Sequence, residues 1–265
     1  MIGEPAFLAG IAAAVLIGTT CACLGVYVVL RRMAFVGDAL AHTVLRWLVV
    51  AMLLGRSTFV GALIAGLVTA FGIGWLTRRQ ALREDTAIGV LFTAMFALGV
   101  VLAAGRDPHE LNALLFGDLA NVGRGELILL GVVTLVVLST LALAHKELEL
   151  TSFDPVYAEA VGIRTDWLRY LLLTLIALAV VSAVRAVGVL LTAALLVTPA
   201  AAASLLTASL PRMMALGTGL AVGSAIAGLW LSLRFDLPSG AAIVLVCTAG
   251  FAAAWVAWAV RHRGG

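Results

Sequence analysis

The sequence predicts an all-α, polytopic transmembrane helical bundle, and three observations support this fold class. Hydrophobic residues make up 63% of the 265-residue chain and charged residues 12%, whereas about a quarter of a soluble domain is charged. The mean hydropathy of +1.14 is more than one compact core can bury, so most of the apolar surface must face lipid. Apolar runs of about 20 residues, the length that crosses a bilayer, follow one another along the chain. A soluble globular protein is therefore excluded.

About nine spans fit into the chain as a single transmembrane domain over residues 1–265, with no room for a separate soluble domain. The first apolar run lacks a basic start and is too long for a signal peptide, so we expect it to be retained. The expected spans are Ala6–Leu30, Ala34–Leu54, Thr58–Thr77, Thr86–Ala104, Glu126–Ala144, Trp167–Val184, Val187–Leu206, Met213–Leu233 and Gly240–Val260.

The basic residues predict the orientation of the bundle. With the N-terminus outside and the C-terminus in the cytoplasm, eleven basic residues lie in the cytoplasm and five lie outside. The excess of cytoplasmic Lys and Arg known as the positive-inside rule favours this arrangement. It also requires an odd number of spans.

Two connections are long enough to be more than turns. Residues about 105–125 form an external loop with a partial helix in this prediction. The cytoplasmic connection contains a short helix over residues about 152–163, because Pro155 suits a first turn after Asp154 and Gly162 can end the helix. Such a helix indicates a docking surface. In the seventh span, Pro199 predicts a kink or a break.

Asp38 and His42 are the clearest ionisable pair at membrane depth. They are four residues apart on the second span, so they project from one helix face and can share a cation. A carboxylate with a neutral imidazole suits divalent metals such as Mn²⁺, Zn²⁺ or Fe²⁺. The alternative is a hydrogen-bonded pair that tethers two spans. Two copies with facing second spans would supply four ligands.

Arg46 lies one further turn along the same helix. A guanidinium beside a cation path opposes the passage of cations unless it is paired or turned toward an interface. A snorkelling or interface arginine is the alternative interpretation. No catalytic residues are predicted, because no nucleophile, zinc-protease or P-loop motif is present. Energy for active transport would have to come from a partner ATPase or an ion gradient.

Taken together, the motifs resemble those of the permease subunits of manganese, zinc and iron ABC importers, the ABC-3 family. The matches follow the family order across essentially the whole chain. They comprise residues 28–42 (VVLRRMAFVGDALAH), 83–89 (REDTAIG), 115–118 (LFGD), 152–162 (SFDPVYAEAVG), 185–191 (RAVGVLL), 196–201 (LVTPAA) and 236–240 (DLPSG).

The resemblance implies an ABC importer permease in the bacterial plasma membrane that moves a divalent metal inward as its substrate. It implies a homodimer surrounded by lipid, a separate cytoplasmic ATPase and an extracytoplasmic metal-binding protein, with no cofactor, no enzymatic activity in this chain and no nucleic-acid partner. Asp38 and His42 would line the metal path. Residues about 152–163 would be the coupling helix that seats on the ATPase, shaped by Asp154, Pro155, Ala158 and Gly162.

One departure from the family pattern concerns the substrate. Leu45-Arg46-Trp47 stands where the family commonly has Leu-Pro-Gly, so Arg46 is a candidate for tuning what passes along the path. Two other functions stay open. In a permease for chelated iron or a cobalamin-like substrate, Asp38 and His42 would only stabilise the bundle. In an ATP-independent secondary transporter or channel, they would relay protons.

Overall fold

The computed structural model describes the backbone of residues 4–53, 57–78, 83–102 and 122–263. These residues form helices joined by short turns, with no β-strand among them. The helices are α1 (Glu4–Leu30), α2 (Val36–Leu53), α3 (Thr58–Leu76), α4 (Glu84–Leu102), α5 (Arg124–Leu143), α6 (His145–Phe153), α7 (Pro155–Ala160), α8 (Thr165–Leu206), α9 (Leu210–Phe235) and α10 (Ser239–Arg263).

The centre of the bundle is built from α1 and α8. Six helices in the described part of the chain are long and apolar enough to cross a membrane, and these two are the most buried of them. Gly25 of α1 permits a close crossing, because a Cβ atom there would overlap the backbone carbonyl of Leu196 in α8. Gly228 of α9 likewise packs on the backbone of Ile243 in α10, where an added Cβ atom would also overlap. Small residues thus let the helices approach within lipid, where dispersion contacts replace hydrophobic driving force.

Helix α8 is interrupted at Gly188, whose φ of 80° and ψ of 174° are not helical. Its 42 residues would extend about 60 Å if the helix were straight, twice the thickness of a bilayer core. A φ and ψ of this kind are essentially restricted to glycine. The break lies close to the predicted boundary between the sixth and seventh spans. Pro199 keeps helical backbone angles, so a break at that residue is not found.

The helix boundaries agree with the predicted spans to within a few residues. Helices α2 and α3, for example, begin at Val36 and Thr58. Of the external loop predicted at about 105–125, residues 105–121 lie outside the described residues. The connection between α5 and α8, predicted to contain one short helix over about 152–163, forms two helices, α6 and α7, which meet at Asp154.

Candidate functional site

A tight turn between α1 and α2 sets where α2 begins. Arg32 has a left-handed φ of 58°. Its backbone N–H donates to the Val29 carbonyl (3.1 Å), and the Met33 N–H donates to the Val28 carbonyl (2.9 Å). This is the hydrogen-bond pattern of a Schellman C-cap, with a non-glycine residue in the position that glycine usually occupies. Met33 is buried and also accepts the Val36 N–H (2.9 Å) through its carbonyl, which starts α2.

Asp38 and His42 lie in the first two turns of α2. Asp38 belongs to the first turn, where the helix dipole favours a carboxylate. Its Oδ1 is 3.5 Å from Nε2 of His42, and the side chains are 52% and 32% exposed, respectively. The His42 ring packs at a tilt on Phe92 of α4, with 6.1 Å between centroids. The structure therefore brings the two predicted residues together on a partly open face of α2.

This spacing is compatible with a shared metal ion. With metal–ligand bonds of about 2.1 Å, donors 3.5 Å apart subtend an angle of about 110°, close to tetrahedral. Two protein ligands are fewer than the four of a closed zinc site. No group of three or more His, Cys, Asp or Glu side chains that could hold a metal occurs in the described part of the chain. Such a sparse site suits an ion that must be released.

The side chain of Arg46 lies outside the described residues, so its predicted tuning role stays a prediction. The neighbouring Trp47 is half-buried, and its indole N–H has no hydrogen-bond partner in the described part of the structure.

The four residues predicted to shape the coupling helix all define α7. The Asp154 side chain caps the helix by accepting the Tyr157 N–H at 2.9 Å, and Pro155 occupies the first turn. Ala158 is fully buried. Gly162 ends the helix with a φ of 91°. These contacts account for the short helix from its own sequence.

Helix α7 and the residues that flank it, Phe153 and Val161, present an exposed apolar surface. Val156 is 72% exposed, and Phe153, Tyr157 and Val161 are each more than half exposed. Large apolar side chains grouped in this way are typical of an interaction surface.

A polar cluster that the sequence reasoning missed joins the C-terminal end of α1 to α6. Arg31 donates from Nη2 to Thr151 Oγ1 (2.8 Å) and from Nε to Ser152 Oγ (3.2 Å). Tyr27 and His145 lie 3.4 Å apart (Oη to Nδ1). The members are more than a hundred residues apart in sequence, so helical periodicity contains no signal that could pair them. Arg31 falls within a recognised motif, but the motif alone assigns it no partner.

A second missed contact links the start of α4 to the start of α8. Nε of Arg169 is 3.5 Å from Oε1 of Glu84, and Nη1 donates to the Thr77 carbonyl at 3.3 Å. Burial raises the pKa of Glu84 despite the opposing effects of Arg169 and Arg31. Burial likewise lowers the pKa of Arg31, with Glu84 acting in the opposite direction.

Residues 4–257 match the ABC 3 transport family. The chain belongs to this family. It is therefore a multi-pass membrane permease of the bacterial ABC transporters. This confirms the family that the sequence motifs predicted.

Individual relatives of this ABC 3 family member agree with that assignment. It is 44% identical to the manganese transport system membrane protein MntC of Halalkalibacterium halodurans, over 92% of this chain and 84% of that protein. It is 35% identical to a probable iron transport system membrane protein of Haemophilus influenzae, over 94% and 93%. The solved structure of PsaBC from Streptococcus pneumoniae in complex with Fab has a chain that matches with a TM-score of 0.82 and 30% identity, over 94% and 90%.

Proposed function

We propose that this permease carries a divalent transition metal, Mn²⁺, Fe²⁺ or Zn²⁺, into the cell, and that Asp38 and His42 line the metal path. The observation that carries the proposal is the separation of 3.5 Å between their donor atoms on a partly open face of α2. The names of the relatives, which specify manganese and iron transport, support a metal substrate.

The pair requires further ligands, which a second copy of the chain can supply. A two-fold axis beside α2 would bring two carboxylates and two imidazoles together. The exposure of both side chains in the single chain leaves them accessible for this arrangement. Water would complete the coordination while the ion moves.

We further propose nine spans. Each part of α8 on either side of Gly188 is long enough to cross the bilayer, so α8 supplies two of them. Helices α2 and α4 supply the remaining two spans. They have 18 and 19 residues and are not among the six described helices that are both long and apolar enough to cross a membrane. α2 carries Asp38, His42 and Arg46, which lower its hydropathy but have a role in a metal path.

The contacts at the two ends of the bundle support an external N-terminus and a cytoplasmic C-terminus. Beside α7, Arg78 and Arg169 both approach Asp166, at 3.7 Å and 3.6 Å. At the opposite end, Arg185 approaches Glu126 at 3.9 Å. The end with α7 contains most of the basic residues, so the positive-inside rule makes it cytoplasmic.

Energy would come from a separate ATPase. We propose that it docks on α7, whose exposed apolar residues lie at the proposed cytoplasmic end. An extracytoplasmic metal-binding protein would deliver the ion at the opposite end. Closure of the ATPase would then move α7 and change access to Asp38 and His42.

Metal uptake tests the proposal in vesicles that contain this permease, its ATPase and its binding protein. Asp38→Ala and His42→Ala should each reduce uptake of one divalent metal by about tenfold or more, the loss seen even for groups that only support a metal ligand. Asp236→Asn and His262→Ala are matched controls, because both residues are exposed and lie far along the chain from α2. They should transport normally.

Normal uptake by both Asp38→Ala and His42→Ala, at matched amounts in the membrane, would contradict the metal path. The pair would then be structural, and uptake of iron chelates or cobalamin-like compounds would be measured next. Uptake that follows a proton gradient without ATP would instead favour a secondary transporter.

A further inference from the structure

Arg31 connects the end of α6 to the turn that leads into α2. It follows the last residue of α1, and its half-buried guanidinium donates to Thr151 Oγ1 (2.8 Å) and Ser152 Oγ (3.2 Å). Both hydroxyls donate in turn to the Leu148 carbonyl, at 3.2 Å and 2.6 Å. Each hydroxyl is therefore oriented by α6 and offers its lone pairs to Arg31.

The path from this contact to the proposed coupling helix is short. Ser152 lies two residues before Asp154, whose side chain caps α7. Arg31 is also close in sequence to the proposed metal-path residues, because Asp38 lies seven residues after it. The three hydrogen bonds of the turn, from Arg32, Met33 and Val36, restrict its internal freedom. The turn is therefore a hydrogen-bonded connection between Arg31 and the first turn of α2.

The chemistry of the contact favours arginine. A planar guanidinium can hold two acceptors in a fixed geometry, whereas a lysine ammonium is a flexible point charge. Around Arg31, Glu84 at the start of α4 attracts it and Arg169 of α8 repels it. The guanidinium is therefore held by two hydroxyls of α6 and lies in the electrostatic field of charged groups at the starts of α4 and α8.

We infer that Arg31 is the positioning residue that transmits movement of α7 to Asp38 and His42, through its hydrogen bonds to Thr151 and Ser152. This inference rests on the proposed function. It adds a specific mechanical link between the ATPase docking helix and the metal path.

The test measures imported metal ions and hydrolysed ATP in the same proteoliposomes, which contain the permease, its ATPase and its binding protein, with Mn²⁺ as the probe. Arg31→Met should leave ATP hydrolysis in place and lower the ions imported per ATP by about tenfold or more. The pair Thr151→Val with Ser152→Ala removes the acceptors from the other side and should cause a similar loss. Combining both changes should cause little further loss, because they break the same contact.

Two further variants separate transmission from a merely structural effect. Arg31→Lys keeps the charge and should restore part of the ratio. Arg212→Met is the matched control, because Arg212 is exposed and lies on α9, outside the turn and α6. It should import as the wild type does.

A wild-type ratio in both Arg31→Met and the Thr151→Val, Ser152→Ala variant would overturn the inference. A proportional fall of uptake and ATP hydrolysis in an assembled complex would overturn it too, since that result indicates a structural role. If Arg31→Met does not assemble, the hydroxyl variant, which preserves size, decides. Asp38→Ala in the same assay tests the proposed function separately, because normal import by it refutes the path whatever the Arg31 result.

Discussion

Glu84 is a carboxyl group that is largely buried, which costs free energy when the group is ionised. Its side chain is 23% exposed, and Oε2 is buried without a hydrogen-bond partner in the described part of the structure. Asp85 reinforces the effect of burial on its pKa, while Arg169 and Arg31 oppose it. A raised carboxyl pKa means that burial disfavours the ionised form.

This environment predicts a pH-dependent stability difference between the wild type and Glu84→Gln. Because the folded-state pKa lies above the ordinary value of 4.5, the contribution of Glu84 to stability is present below pH 4.5 and is lost as the pH rises through the raised pKa. The wild type should therefore lose melting temperature relative to Glu84→Gln as the pH rises from 4.5 through the raised pKa. In a chain of this size, each difference of about 1 kcal/mol between the two proteins corresponds to about 2–4 °C.

Melting curves of the purified permease at several pH values check this prediction. Glu147→Gln is the control for the loss of one carboxylate, since Glu147 is exposed. A difference between wild type and Glu84→Gln that is constant with pH would show that the environment of Glu84 does not influence its titration.

At the scale of elements, α7 depends on its caps because six residues are too few for a stable isolated helix. Replacement of the Asp154 cap by Ala should cost about 1 kcal/mol, which corresponds to about fivefold weaker binding of the ATPase subunit if docking requires the helix. Asp154→Asn preserves a capping side chain and should bind nearly as the wild type does. Titration of purified permease with the ATPase subunit measures both affinities, and equal binding by the two variants would contradict the cap's role.

The long helix α8 shows how well the pattern of hydrophobic residues along the chain predicts where one span ends and the next begins. The sequence predicted one span ending at Val184 and the next beginning at Val187, and the interruption is found at Gly188. The sequence did not show that Gly188 rather than Pro199 would carry the break. Helical angles at Pro199 are compatible with neighbouring chain that packs around it, including Gly217 of α9 close to its carbonyl.

At the scale of the whole molecule, the orientation of the bundle in the membrane can be tested at the C-terminal ends of α9 and α10. Arg234 lies near the end of α9 and Arg261 near the end of α10, and both are exposed. With the proposed topology, a membrane-impermeant maleimide should label Arg234→Cys in intact cells and Arg261→Cys only after permeabilisation. The three native cysteines are buried and should react little. The reverse labelling pattern would require an inverted bundle.

The amino-acid sequence alone determined the membrane class, most helix boundaries and the pairing of Asp38 with His42. These features depend on hydropathy and on helical neighbours four residues apart, which are local properties. The caps of α7 were predictable for the same reason. The metal-path role of the Asp38–His42 pair stays a proposal.

Only the tertiary structure decided that Arg31 bonds Thr151 and Ser152, and that Glu84 faces Arg169. These partners are between 85 and 121 residues apart, so their meeting depends on how α1, α4, α6 and α8 pack. Glycine contacts such as Gly25 against Leu196 set that packing by allowing close approach. Single-sequence periodicity has no information about which distant helix faces meet, because each span presents the same apolar pattern to lipid and to its neighbours.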